Sequence, residues 1–181
     1  MTPSDQCDPG WGKALRLTRP LGSARRSSRR APDGITAARV VFLSFPAALI
    51  LISVALLLID PDFEVTTLPA VIVAAATATG LAGITIVNGR TLDCEDAATA
   101  YRTSMFLKTA LAEVPVLAGF VLFFLDGTYL TFLLGVVISI PSFWLAAPRG
   151  ADIDRRQQQL HDAGCMVDLW EALRLSAPHS N

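Results

Sequence analysis

One side chain in this sequence stands where chemistry is hard to ignore. Glu113 lies inside the apolar run Met105 to Leu125, close to its centre. An ionised carboxylate at that depth of a bilayer costs at least a few kcal/mol, so the group must be protonated or paired. Two residues on, Pro115 has no N–H, and the carbonyl of Leu111 loses its helical donor. An acid and a free carbonyl within one turn suit a proton, a water or a small cation. Candidate partners come from the run Leu68 to Val87, where Thr77 and Thr79 match Glu113 in depth. Glu113, Thr77, Thr79 and Leu111 are therefore the expected ion or proton site. Glu113 is expected to face the second run. As a purely structural acid it would instead hold helices in register.

Small residues surround the two threonines. Ala74, Ala76, Ala78, Gly80, Ala82 and Gly83 form small-xxx-small patterns that let helix backbones approach closely. With Pro115 and Gly119 on the third run, Gly80 and Gly83 are the expected helix-packing positions. Lys108 stands five residues before Glu113, on a different face, and is expected to snorkel towards the near end of its helix.

The elements that position these residues follow from composition. The chain has 181 residues, 52% hydrophobic and only 17% charged, with a mean hydropathy of +0.46. Soluble domains carry about a quarter charged residues. A helix rises about 1.5 Å per residue, so about 20 apolar residues cross a hydrocarbon core. Val40 to Ile59, Leu68 to Val87 and Thr128 to Ala147 meet that length without a charge, and Met105 to Leu125 meets it with Lys108 and Glu113 inside. Asp126-Gly127 alone joins the third run to the fourth, which forces an antiparallel hairpin. The expected fold is all-α and membrane-integral: two antiparallel transmembrane hairpins, four spans in all. The competing architecture is a soluble protein with four buried core helices, which are usually shorter and carry a polar stripe.

The basic residues set the orientation. Lys13, Arg16, Arg19, Arg25, Arg26, Arg29, Arg30 and Arg39 precede the first run. Arg90 and Arg102 lie between the second and third, and Arg149, Arg155, Arg156 and Arg174 follow the fourth. The other two connections hold no basic residue, only Asp60, Asp62, Glu64 and Asp126. The positive-inside rule then places both termini and the middle loop in the cytoplasm, in a multi-pass protein of the plasma (inner) membrane. The first run exceeds a signal-peptide core and no Ala-x-Ala site follows it, so it is expected to stay as a span.

Three segments result: a disordered basic cytoplasmic arm, 1–34; a four-span domain, 35–147; and a cytoplasmic tail, 148–181. The arm suits either a topology signal or attraction to anionic lipid. In the tail, Asp152 to Leu175 reads as one helix, with Met166, Leu169, Trp170 and Leu173 on an apolar face. That face fits the bilayer surface, a partner helix or the protein's own loops equally well.

Other chemistry is missing from the pattern. Cys7, Cys94 and Cys165 are far apart, odd in number and all on the cytoplasmic side, so no disulfide framework is expected. His161 and Cys165 share a helix spacing, but two ligands do not make a structural zinc site, and no metal is expected. There is no Gly-x-Ser-x-Gly elbow, His-Glu-x-x-His or phosphate-binding glycine loop. The residues point away from an enzyme, a cofactor or nucleic-acid binding. They point to an accessory or interaction subunit whose surroundings are lipid, with a second copy or another membrane protein as partner. The alternative is proton or cation handling at Glu113.

Glu113, then Pro115, Gly119, Phe120 and Val121, resemble the carboxylate helix of proteolipid c subunits of rotary ATP synthases. There a Glu or Asp is followed six residues later by Gly and an apolar run. The resemblance implies that Glu113 takes up and releases a translocated proton or sodium ion. It covers about ten of the 181 residues. Thr77 to Gly83 holds fewer glycines than the family's partner helix, and the family's subunits have two spans and no long basic arm.

Overall fold

The computed structural model describes residues 11, 14–15, 34–59, 63, 67–126 and 128–174. Its elements run α1 (Gly34–Ile59), α2 (Thr67–Gly89), α3 (Ala97–Asp126), α4 (Tyr129–Ala146), α5 (Gly150–Asp162) and α6 (Leu169–Arg174). The four helices α1 to α4 are each long and apolar enough to cross a membrane. The fold is all-α and four-span, as the run lengths predict. The outward positions decide against buried core helices in a soluble protein. Ile50, Leu51, Leu58, Leu68, Phe124 and Trp144 are all exposed, at 64% or more. A water-soluble surface does not tolerate an apolar area on that scale, whereas lipid requires it.

Two helices begin well before their apolar runs. α1 begins at Gly34, six residues before Val40. α3 begins at Ala97, inside what reads as a loop, because Asp96 caps it: the Thr99 N–H donates to Asp96 Oδ1 at 3.3 Å. Apolar runs mark the membrane-crossing part of a helix, not its polar extension.

The chain forms two compact units. The span unit comprises Pro46–Arg90 and Thr103–Ala147. Its apolar core joins Leu56 of α1, Val116 and Phe123 of α3, and Tyr129 and Phe132 of α4, with Leu49 and Phe120 beside them. α2 packs along α4. Phe63, in the first connection, meets Tyr129 edge-on at 5.9 Å.

The polar unit comprises Met1–Phe45, Thr91–Arg102 and Pro148–Asn181. Its core is Ile35, Ala97, Tyr101, Ile153, Leu160, Cys165, Leu169 and Leu173. The tail is thus not the single helix expected over 152–175. It breaks at Gly164, whose φ of 82° lies in the left-handed region that glycine alone enters cheaply. Gln157 bridges the break, donating to the Val167 carbonyl at 2.8 Å and accepting from the Leu169 N–H at 2.6 Å. Of the expected apolar face, Leu169 and Leu173 are buried in this unit's own core, and Met166 projects outward from the turn. Trp170 is held by a hydrogen bond from its Nε1 to Asp154 Oδ1 at 2.8 Å. Of the three settings open to the tail face, the structure assembles the intramolecular one. The basic arm 1–34 lies outside the described residues except at 11, 14, 15 and 34; there Trp11 receives the Arg39 guanidinium over its ring at 5.0 Å.

Candidate functional site

The middle of α3 is held by glycines on both flanking helices. A methyl group at Gly80 would stand 2.5 Å from the Leu111 carbonyl oxygen, so α2 and α3 touch through backbone. A methyl at Gly83 would meet both Leu111 methyl carbons, at 2.8 and 2.9 Å. On the α4 side, a methyl at Gly119 would stand 3.0 Å from the Thr131 carbonyl oxygen. Pro115 is buried. All four expected packing positions therefore lie in buried or close-packed contacts. Gly135, which the sequence reading did not single out, makes a contact of the same kind: its added methyl would stand 2.6 Å from the Pro115 carbonyl oxygen. Its signal was present as the small residue one turn on from Thr131.

The candidate ion ligands are not gathered into one place. Thr77 is buried, and its hydroxyl donates to the Val73 carbonyl at 2.8 Å. Thr79 is exposed and donates to the Ala75 carbonyl at 3.0 Å. Both hydroxyls are thus taken up by their own helix, as serine and threonine often are in apolar helices. The Leu111 side chain and carbonyl face α2 at Gly83 and Gly80. Glu113 follows two residues later, about 200° round the helix, and so points away from α2. It shares a flank with Thr109, Val116 and Phe120, the last two of which belong to the apolar core that holds Leu56 of α1 and Phe132 of α4. Thr109 donates its hydroxyl to the Met105 carbonyl at 2.9 Å. Glu113 itself is half-buried, and no described residue forms a hydrogen bond or ion pair with it.

Lys108 does not snorkel. It is 1% exposed and engaged within the chain. A register in which Pro115 meets Gly135 and Gly119 meets Thr131 brings Lys108 level with Ser142 of α4. The Ser142 hydroxyl is fully enclosed and, among the described residues, has no partner. Snorkelling needs a helix flank that opens onto water, and close packing in this part of α3 removes it.

The polar unit holds two more enclosed cations that composition alone could not mark. Arg39 donates through Nε to the Pro148 carbonyl at 3.4 Å. Arg156 is 1% exposed and donates to Gln159 Oε1 at 3.0 Å. Burial pushes its guanidinium below the ordinary value, while Asp152 and Tyr101 beside it pull the other way. The Tyr101 hydroxyl donates to Asp152 Oδ2 at 3.3 Å, which completes a small polar cluster.

The expectation of no disulfide is corrected. Cys94 and Cys165 are bonded to each other, with their Cα atoms 5.8 Å apart. Distance along the chain said nothing about distance in space: 71 residues separate them, and the helices between return to the same unit. Among the described residues no group of three or more His, Cys, Asp and Glu side chains is placed to hold a metal ion.

No family model, curated protein or solved structure matches this chain.

Proposed function

We propose that the chain is a non-enzymatic accessory or interaction subunit of a membrane assembly, seated in the plasma (inner) membrane with both termini in the cytoplasm. The observation that carries this is Glu113: a carboxyl at mid-span, half-buried, on a flank of α3 where no described residue bonds it. An acid at that depth needs a polar partner or a proton. A partner helix with a hydroxyl or a basic side chain at the same depth supplies one. Leu117, one turn on from Glu113 on α3 itself, is exposed, which lets such a helix approach in the membrane plane. Interhelical hydrogen bonds in lipid are worth only about 0.6–2 kcal/mol, so the acid contributes register more than affinity.

A second role, proton or cation handling, rests on the same side chain. Its half-exposed position leaves it open to protonation, as the resemblance to c subunits implies. Thr77, Thr79 and the Leu111 carbonyl face elsewhere, so this role needs ligands from another chain or from water.

Carbodiimide labelling separates the two. An acid engaged by a partner helix is shielded in native membranes and reacts only after the chain is purified. Labelling of Glu113 in native membranes near neutral pH, falling as the pH rises, selects ion handling instead. Glu113→Gln is expected to leave thermal stability in detergent within about 0.5 kcal/mol of the parent, because it breaks no bond to a described residue. Glu113→Lys is expected to abolish assembly with a basic partner through like-charge repulsion.

Orientation is tested directly. A reporter active only outside the cytoplasm is expected to be active when fused after Gly127 and silent when fused after Asn181. The reverse pattern overturns the assignment of the basic side to the cytoplasm.

A further inference from the structure

The Cys94–Cys165 bond stands in surroundings where a permanent disulfide is out of place. Its Cα separation of 5.8 Å is ordinary for a disulfide. It joins the short stretch before α3 to the turn at Gly164 that ends α5. The same unit carries Arg39, Arg102, Arg149, Arg155, Arg156 and Arg174. That excess of arginine assigns the unit to the cytoplasm by the positive-inside rule. Cytosolic thiols are held reduced, and a disulfide that forms there is usually transient and redox-sensing.

We propose that Cys94 and Cys165 form a thiol–disulfide switch, reduced at rest and closed by oxidation, that fastens the tail turn to the entry of α3. The proposal rests on the cytoplasmic orientation given above. Access sets the order of events. Cys94 is exposed, whereas Cys165 is 4% exposed and sits in the core with Ala97, Tyr101 and Leu160. The oxidant is a small disulfide of the oxidised-glutathione class. The Cys94 thiol loses its proton, and the thiolate attacks one sulfur of the oxidant. The oxidant's S–S bond breaks, a mixed disulfide forms on Cys94, and the first small thiolate leaves and takes up a proton. The Cys165 thiolate then attacks the Cys94 sulfur. The protein disulfide forms, and the second small thiolate leaves and is protonated. Two protein thiols have lost two electrons, and one small disulfide has become two thiols. Excess dithiol reopens the bond: one of its thiolates attacks a protein sulfur, the other protein thiolate leaves and is protonated, and the second dithiol sulfur then displaces the first, leaving both protein thiols free and the dithiol as its own disulfide.

Opening the bond leaves the non-covalent attachments of the tail in place. Leu169 and Leu173 remain core residues, and the two Gln157 hydrogen bonds still bridge the turn. Reduction therefore changes how firmly the tail is tethered, not whether the unit is folded.

The test uses the full chain carrying Cys7→Ser, so that only the two relevant cysteines count. Cells are quenched in acid, and free thiols are tagged with a polymer maleimide that adds a fixed mass per thiol. Two tags are expected in untreated cells. Inverted membrane vesicles treated with oxidised glutathione are expected to show none, and both tags should return after dithiothreitol. Adding Cys165→Ser should stop the reaction at one glutathione on Cys94. No tags in untreated cells means a permanent bond, and two tags after oxidised glutathione means a pair that never closes; either result overturns the switch while the orientation stands. Labelling of Cys94 in intact, dithiothreitol-treated cells by a membrane-impermeant maleimide overturns the orientation and the switch with it.

Discussion

Gly135→Ala is expected to destabilise the span unit by about 1–3 kcal/mol, the usual cost of forcing atoms into a close-packed contact. The added methyl would stand 2.6 Å from the Pro115 carbonyl oxygen, 3.3 Å from the Pro115 carbonyl carbon and 3.4 Å from the Val116 Cα. All three are backbone atoms of α3, so no rotamer change relieves the clash and the helices must separate. Gly80→Ala meets the same obstacle, 2.5 Å from the Leu111 carbonyl oxygen. Gly83→Ala should cost less, because it meets only the ends of the Leu111 side chain, which can turn aside. Gly89→Ala is the control: nothing lies within 4 Å, and its stability should equal or exceed the parent's. Thermal unfolding of the purified chain in detergent reads the series. Equal midpoints for Gly135→Ala and Gly89→Ala would show that α3 and α4 do not meet at Pro115.

Arg156→Met is expected to cost the polar unit about 1–3 kcal/mol, the range for losing a buried hydrogen bond made by a charged group. Arg156 is enclosed beside Asp152 and Tyr101 and donates to Gln159. Methionine matches much of the apolar stem but leaves the Asp152 carboxylate without that cation. Asp152 keeps the Tyr101 hydroxyl, at 3.3 Å. Arg156→Lys keeps the charge on a compact ammonium without the planar fork, and should fall between parent and Met. Adding Asp152→Asn to Arg156→Met should recover part of the loss, since the carboxylate that Arg156 attracts goes with it. Denaturant unfolding followed by Trp170 emission reports the cycle. Strictly additive losses would mean that Arg156 and Asp152 do not interact.

The four spans and the hairpin turn could be read from residue order alone. Span length and hydropathy are local properties of a run, and about 20 apolar residues leave few alternatives to a crossing helix. The small residues likewise marked Gly80, Gly83 and Gly119 as places of close approach, because only a missing side chain lets backbones meet. The atoms they meet depend on how far one helix slides along another, and only the packed bundle sets that. So Gly135 emerged only against Pro115. Glu113 turned out to point away from α2, because Leu111 took the face towards it. Lys108 was enclosed where a lone helix would have let it reach water. Interruptions narrower than a helix were also hidden: Gly164 looked like one more residue in a periodic run, until its left-handed conformation split the tail. Pairing across long separations was the least legible. Nothing near Cys94 names Cys165, and nothing near Arg156 names Tyr101, since each contact depends on a chain that leaves the polar unit, runs through two spans and returns. The sequence by itself determined what kind of solvent surrounds each helix, because solvent preference is additive along a run. The tertiary structure decided which side chains share a partner, because contact is a property of pairs.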